Sequence, residues 1–156
     1  MNRIPINLTV NGRTTELSVE PNATLADSLR EQAGTHSVHL GCEHGVCGAC
    51  NVYLNGAVVR SCLTLTAACD DMEITTLEGL SDATAAALKD AMHRCHGLQC
   101  GFCTPGMIIT GHDMLTRKLC NSETEIRQQL CGNICRCTGY QGIVTAIASA
   151  QEEISP

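Results

Sequence analysis

Twelve cysteines in a chain of 156 residues constrain this protein more than any other feature of its sequence. They fall into two groups with a helical pattern between them, which predicts two small domains. The chain has one Phe, two Tyr and no Trp, so each half has little aromatic surface whose burial could offset the conformational entropy lost on folding. No N-terminal apolar segment indicates secretion, so metal ligation is favoured over disulfides, and we expect a cytoplasmic protein.

The first group of cysteines has the spacing of a plant-type ferredoxin loop. Its members are Cys42, Cys47, Cys50 and Cys62. Four, two and eleven residues separate successive thiols, and this spacing predicts a 2Fe-2S cluster. Glycines within residues 41–48 let backbone N-H groups wrap closely around anionic sulfides. A structural zinc site remains the alternative, whereas a Rieske centre is excluded because Tyr53 stands where a second histidine is required.

The second group supplies four further thiols, which lie before two predicted helices. They are Cys100, Cys103, Cys135 and Cys137. The positive N-terminal end of a helix favours anionic thiolates, so we predict a second 2Fe-2S cluster here. Thr104 is predicted to cap the first of these helices, with Pro105 as its first residue. The other helix is predicted to begin near Thr138.

Two other interpretations of this group stay open. The segment Cys100-Gly-Phe-Cys103 alone resembles a thioredoxin redox motif, but a helical pattern rather than a strand precedes it. Cys131 is a rival fourth ligand by spacing, although it falls inside a predicted helix and is expected to point into that helix's core. The remaining cysteines are predicted to be reduced, small hydrophobic residues: Cys69, Cys95 and Cys120.

Hydrophobic periodicity predicts an α+β fold in which residues 1–78 form a small mixed sheet crossed by one helix. Its predicted elements are, in chain order, a hairpin turning at 11–12, a helix over 25–33, a hairpin turning at 55–56 whose return strand covers 58–62, and a strand over 72–76. Residues 79–156 are predicted to form four helices. Ser81 or Asp82 caps the first, the second runs from Pro105 to about residue 119, and Ser122 caps the third.

The charge pattern excludes some classes of function. A net charge of -6 with scattered Lys and Arg argues against a nucleic-acid partner. No apolar run approaches the length of a membrane span. No phosphate-binding loop and no set of nucleophile and base is present, so we predict no catalytic residue in this chain.

Three motifs in order carry a resemblance to a known family: Gly41-Cys-Glu-His-Gly-Val-Cys-Gly-Ala-Cys50, Gln99-Cys-Gly-Phe-Cys-Thr-Pro-Gly-Met107 and Gly132-Asn-Ile-Cys-Arg-Cys-Thr-Gly-Tyr-Gln141. Together they resemble the small iron-sulfur subunit of the xanthine oxidase family of molybdenum hydroxylases. The resemblance covers nearly the whole chain. It implies a ferredoxin-like β-grasp domain over 1–78, followed by a four-helix bundle over 79–156, with one 2Fe-2S cluster in each.

The resemblance also implies partners. A large subunit would hold molybdopterin cytosine dinucleotide, and a further subunit would usually hold FAD. Electrons from oxidation of an aldehyde or an N-heterocycle would reach the C-terminal cluster first, then the N-terminal cluster, then FAD or another acceptor. A free-standing two-cluster ferredoxin is the alternative.

The resemblance also implies roles for individual residues. Gln99 matches the position that contacts the molybdopterin, and Cys137 matches the ligand nearest the pterin. Asn51 stands where a Thr is usual, and residues 118–122 replace an Asn-Pro-rich connection. We expect these two departures to change loop shape rather than cluster binding.

Overall fold

The computed structural model describes residues 3–154, so the predicted domain ends at 1–2 and 155–156 lie outside the described residues. The first half contains β1 (Ile4–Val10), β2 (Arg13–Val19), α1 (Leu25–Glu31), β3 (Asn51–Leu54), β4 (Ala57–Arg60) and β5 (Glu73–Thr75). These strands form a five-stranded sheet in the order β2-β1-β5-β3-β4. Strands β1 and β5 run parallel and the other neighbours antiparallel, so the predicted mixed sheet is confirmed.

Local sequence signals explain most boundaries in this half. Both predicted Asn-Gly turns are present, with positive φ at Asn11 and Asn55. The Thr24 hydroxyl accepts a hydrogen bond from the Asp27 amide and caps α1. Helix α1 ends two residues before the predicted position, within the usual uncertainty of helix ends.

The return strand of the second hairpin is shorter than predicted. Strand β4 ends at Arg60, and Cys62 lies in the 3-10 turn Ser61–Leu63 rather than in a strand. The Ser61 hydroxyl donates to the Cys50 carbonyl at 2.7 Å and turns the chain inward. This turn buries the Cys62 thiol beside Cys50.

The second half contains α2 (Ala83–Arg94), α3 (Thr104–Thr116), α4 (Glu123–Gln129) and α5 (Gln141–Ile154). Asp82 rather than Ser81 caps α2, since its carboxylate accepts from the Ala85 amide at 2.8 Å. Ser122 caps α4 as predicted. The apolar faces of these helices share one core, which includes Leu88, Met107, Ile126 and Ile147.

Three predicted helix ends in this half are wrong. Thr104 is the first residue of α3 and not its cap; the cap position belongs to Cys103, which makes no side-chain hydrogen bond there. Helix α3 stops at Thr116 rather than near 119, because Lys118 takes a left-handed φ of 53°. Helix α5 begins at Gln141 rather than near 138, because Tyr140 has a φ of 71°.

A buried tyrosine–histidine pair joins the two halves. The Tyr53 hydroxyl lies 2.8 Å from His112 Nδ1, and His112 Nε2 lies 2.8 Å from an Asp82 carboxylate oxygen. Burial acts to raise the pKa of Asp82, but hydrogen bonds from the Ala85 amide and from His112 hold it below its usual value. Tyr53 also packs with Leu80, Ala85 and Ile109. The halves therefore form one packed unit.

The structure adds one finding on membranes. Within residues 3–154, no helix has the length and apolar character needed to cross a bilayer.

Candidate metal centres

The loop 41–50 and the following 3-10 turn bring the first four predicted thiols together as two pairs. Cys42 contacts Cys47, whose amide lies 3.4 Å from the Cys42 sulfur. Cys50 contacts Cys62, and both residues are buried. Cys42 and Cys47 are only partly covered, so one pair faces solvent and the other faces the core.

Amide donors lower the pKa of a thiol in the first set, whereas burial raises the pKa of another. Backbone N-H groups of His44 and Cys47 lower the pKa of Cys42 to about 6, because they stabilise a thiolate. Burial and the neighbouring Cys50 thiol raise the pKa of Cys62 to about 11. The surroundings of Cys42 therefore suit a negatively charged sulfur ligand before any metal is bound.

The second four predicted thiols also form two pairs. The sulfurs of Cys100 and Cys137 lie 3.4 Å apart, and both residues are exposed. Cys103 contacts Cys135, which is buried. The sequence separates these partners by more than 30 residues, so the contact between the loops before α3 and α5 creates the set.

A threonine that the sequence analysis missed supports this second set. The Thr138 hydroxyl donates to the Cys135 sulfur at 3.1 Å, and the Thr138 amide lies 3.4 Å from it. Burial acts to raise the pKa of Cys135, but the Thr138 donors lower it overall. For Cys103, burial dominates and raises the pKa to about 12. Thr138 directly follows Cys137, which is the signal that could have identified it.

The rival ligand Cys131 lies outside both sets. It sits in the 3-10 turn Leu130–Gly132, is exposed, and points toward the Arg127 carbonyl, 3.7 Å from its sulfur. The expectation that Cys131 points into a helix core is therefore wrong. Of the three cysteines expected to be reduced and partly buried, Cys95 is partly buried, whereas Cys69 and Cys120 are fully buried, which raises the pKa of each of these two thiols.

The donor chemistry of both sets fits a 2Fe-2S cluster. Four thiols with nearby amide donors form the four-cysteine ligand set that such a cluster requires. Within residues 3–154, no three Cys, His, Asp or Glu side chains are grouped so that they could hold a single metal ion. The thiols lie in two pairs per set, and two pairs can serve two irons.

The two sets meet at the contact between the halves. The Ile134 amide donates to the Cys47 carbonyl at 2.8 Å, and Ile134 directly precedes Cys135. Gly48 and Gly106 allow this close approach: a Cβ on Gly106 would lie 2.1 Å from the Gly48 carbonyl oxygen. One hydrogen bond thus connects a residue of the first set to the neighbour of a residue of the second.

Gln99 lies at the exposed end of the second set. It is exposed, as are its neighbour Cys100 and the contacting Cys137. Gln99 is therefore adjacent in the chain to the exposed Cys100–Cys137 pair. In the same loop, Phe102 is stacked on His39, with ring centres 4.8 Å apart.

Comparison with known proteins identifies this arrangement. A "2Fe-2S iron-sulfur cluster binding domain" matches residues 8–75, and a "[2Fe-2S] binding domain" matches residues 76–148. The nicotine 6-hydroxylase small subunit of Paenarthrobacter nicotinovorans is 46% identical over 97% of this chain and 92% of the relative. The xanthine dehydrogenase iron-sulfur-binding subunit of Escherichia coli O157:H7 is 42% identical over 96% of this chain and 95% of the relative.

The chain belongs to the small iron-sulfur subunits of the xanthine oxidase family of molybdenum hydroxylases. Solved structures agree with this assignment of the iron-sulfur subunit. Quinoline 2-oxidoreductase from Pseudomonas putida 86 matches with a TM-score of 0.89 and 42% identity, covering 97% of this chain and 96% of that chain. The aldehyde oxidoreductase from Desulfovibrio desulfuricans ATCC 27774 matches with a TM-score of 0.87 and 38% identity over 96% of this chain. There the matching part is 17% of a longer chain.

Proposed function

We propose that this iron-sulfur subunit passes single electrons from a molybdopterin centre in a large partner subunit to FAD or another acceptor. The observation that carries the proposal is the presence of two four-cysteine sets joined through the Cys47 carbonyl and the Ile134 amide. When bound, a 2Fe-2S cluster accepts and releases one electron, so a two-electron oxidation is divided into single steps. A free-standing ferredoxin is not favoured, because the relatives are subunits of oxidoreductase complexes.

We propose an N-heterocycle as the substrate class of the complex. Relatives at 46–48% identity are named for the N-heterocycles nicotine and caffeine, whereas those named as aldehyde oxidoreductases are 39–41% identical. The former are a nicotine 6-hydroxylase and a caffeine dehydrogenase, whose subunit gamma from Pseudomonas sp. (strain CBB1) is 48% identical over 92% of this chain and 89% of the relative. Substrate oxidation would take place in the large subunit, which carries the molybdopterin cytosine dinucleotide.

The ligands of each cluster are also a proposal. The contacts between the thiols support one cluster on the first set and one on the second. The first set is Cys42, Cys47, Cys50 and Cys62, and the second is Cys100, Cys103, Cys135 and Cys137. Amide and hydroxyl donors around each set would stabilise its negative charge.

We propose that Gln99 and Cys137 face the molybdopterin of the large subunit. Both are exposed, and each neighbours Cys100: Gln99 along the chain, and Cys137 through a sulfur–sulfur contact of 3.4 Å. The change Gln99→Ala should leave both clusters in place but slow their reduction by the molybdenum centre, because an amide contact to the pterin would be lost. Gln128→Ala, which removes an exposed amide from α4 instead, is the matched control. Equal reduction rates in rapid-mixing experiments would contradict the assignment of Gln99.

The proposal also includes the division of the chain into two domains. We place the boundary between a β-grasp domain and a four-helix bundle at residues 78 and 79. The separate apolar cores of the sheet and of the helices support this boundary.

The state of the cysteines bears on the location of the protein. All twelve are free, which suits a reducing compartment and supports a cytoplasmic location.

Low-temperature EPR tests the proposed function. Dithionite-reduced protein purified without oxygen should give two distinguishable S = 1/2 signals, and iron and acid-labile sulfide should be present in equal amounts. Zinc in place of iron, with no signal, would overturn the proposal and favour a structural metal site.

A further inference from the structure

Arg60 links the two halves beside the contact that joins the thiol sets. Its Nε donates to the Gly45 carbonyl at 3.1 Å, in the loop that carries the first set. Its Nη2 donates to the Gly132 carbonyl at 2.6 Å, in the segment that leads to Cys135. One guanidinium therefore holds the loop of the first set and the approach to the second.

A third hydrogen bond fixes the orientation of this guanidinium. Nη1 of Arg60 donates to the Asn51 side-chain oxygen, and the Asn51 amide donates to the Thr110 hydroxyl at 2.8 Å. Asn51 thus extends the link from β3 to α3. Within residues 3–154, Arg60 donates to carbonyl and amide oxygens, and no carboxylate forms an ion pair with it.

The position of Arg60 relative to the Cys47 carbonyl gives this link a functional meaning. Gly45 lies two residues before Cys47, and Gly132 lies two residues before Ile134. Arg60 therefore holds both segments of the contact in which the Ile134 amide meets the Cys47 carbonyl at 2.8 Å. That contact completes a path of covalent bonds and one hydrogen bond between the two sets.

We propose that Arg60 is a positioning residue for electron transfer between the two clusters. This inference rests on the proposed function and adds a residue that is not itself a cluster ligand. Arginine suits the role because its planar fork places three donors in fixed directions, whereas lysine carries one compact ammonium group. A lysine at this position keeps the charge and loses the simultaneous contacts.

Other contacts keep the halves together when Arg60 is changed. The His39 ring nitrogen Nδ1 lies 2.7 Å from the Phe102 carbonyl oxygen, which is a contact between the first half and the second. The chain of Tyr53, His112 and Asp82 also joins the two halves. Substitution of Arg60 should therefore loosen the Cys47–Ile134 contact without separating the halves.

The experiment compares Arg60→Lys and Arg60→Met with Arg94→Met in the full, cluster-loaded chain. Arg94 is a matched control, because its guanidinium pairs with Asp90 and Glu153 on the outer surface. Two EPR signals in the unchanged protein show the two clusters on which the proposed function depends, and two signals in each variant show that both clusters are retained. Hydrogen exchange at the Ile134 amide and the electron-transfer rate between the clusters after photoreduction are then measured.

We expect faster exchange at Ile134 and a several-fold lower transfer rate in both Arg60 variants, with Arg94→Met unchanged. Arg60→Met should also lower the reduction potentials, since it removes a positive charge, whereas Arg60→Lys should retain them. If Arg60→Met loses a cluster, Arg60→Lys decides the question. Unchanged exchange and transfer rates in Arg60→Lys would overturn the role of Arg60 and leave the proposed function intact. Absence of two signals in the unchanged protein would instead refute the proposed function.

Discussion

Gly106 offers the sharpest test of how closely the two halves approach. An Ala at this position would place its Cβ 2.1 Å from the Gly48 carbonyl oxygen and 3.2 Å from the Ala49 Cα. Real Cβ atoms essentially never come within 3.0 Å of another heavy atom. Because the obstacle is backbone, the loop of the first thiol set must move by about 1 Å, which is overpacking of a tight contact.

Gly111 in the same helix is a matched control for this change. A Cβ there would meet Ile147 at 3.4 Å and Leu88 at 3.5 Å, which is ordinary van der Waals contact. Replacing a helical Gly by Ala gains up to about 1 kcal/mol in propensity. Overpacking costs about 1–3 kcal/mol, so Gly106→Ala should be less stable than Gly111→Ala by about 2 kcal/mol.

The assay is thermal unfolding of both cluster-loaded variants at one scan rate, followed by the visible absorbance of the clusters. For a chain of this length, about 2 kcal/mol corresponds to a difference of about 4–8 °C in Tm. A common scan rate is needed because loss of a cluster makes unfolding irreversible. Equal Tm values and equal exchange at the Ile134 amide would refute the close contact between Gly106 and Gly48.

Three further predictions concern single side chains. Cys47→Ser should remove half of the iron and one EPR signal while the exposed Cys131→Ser retains both; loss of both signals in a folded protein would contradict two independent sites. Tyr53→Phe leaves a buried imidazole nitrogen unpaired and should lower the unfolding free energy by about 1–3 kcal/mol, and a Tm like that of the parent protein would count against the link. Ser122→Ala should cost about 1 kcal/mol as a lost helix cap. Ser81→Ala should cost nothing, because Asp82 is the cap there, and calorimetry on both distinguishes the two serines.

Local signals made much of the fold predictable. The two Asn-Gly turns require left-handed backbone that few other residues accept, and both hairpins follow from them. Thr24 and Ser122 cap helices because their hydroxyls satisfy free amides of the first turn. The prediction that Thr104 caps α3 is wrong by one residue. Cys103 occupies the cap position and Thr104 is the first residue of the helix, and the sequence alone does not distinguish these two starting points.

The candidate site was predictable only in part, for a related reason. The spacing of the cysteines is a local property, so it indicates which thiols form a set. It carries no information on Arg60, whose acceptor at Gly132 is 72 residues away, or on Tyr53, whose partner His112 is 59 residues away. Contacts of this kind arise when two separate surfaces of the chain meet, and no periodic pattern records them.

The interlocked junction between the halves has a consequence for how such a subunit can be reused. Because the Cys47–Ile134 contact and the Gly48–Gly106 contact lie within one chain, the spacing between the two thiol sets is fixed without help from any partner. A similar unit forms 17% of a longer chain in the Desulfovibrio aldehyde oxidoreductase and stands as a separate small subunit in the nicotine enzyme. A unit of this kind can therefore be combined with different electron donors and acceptors while the distance between its two thiol sets stays the same.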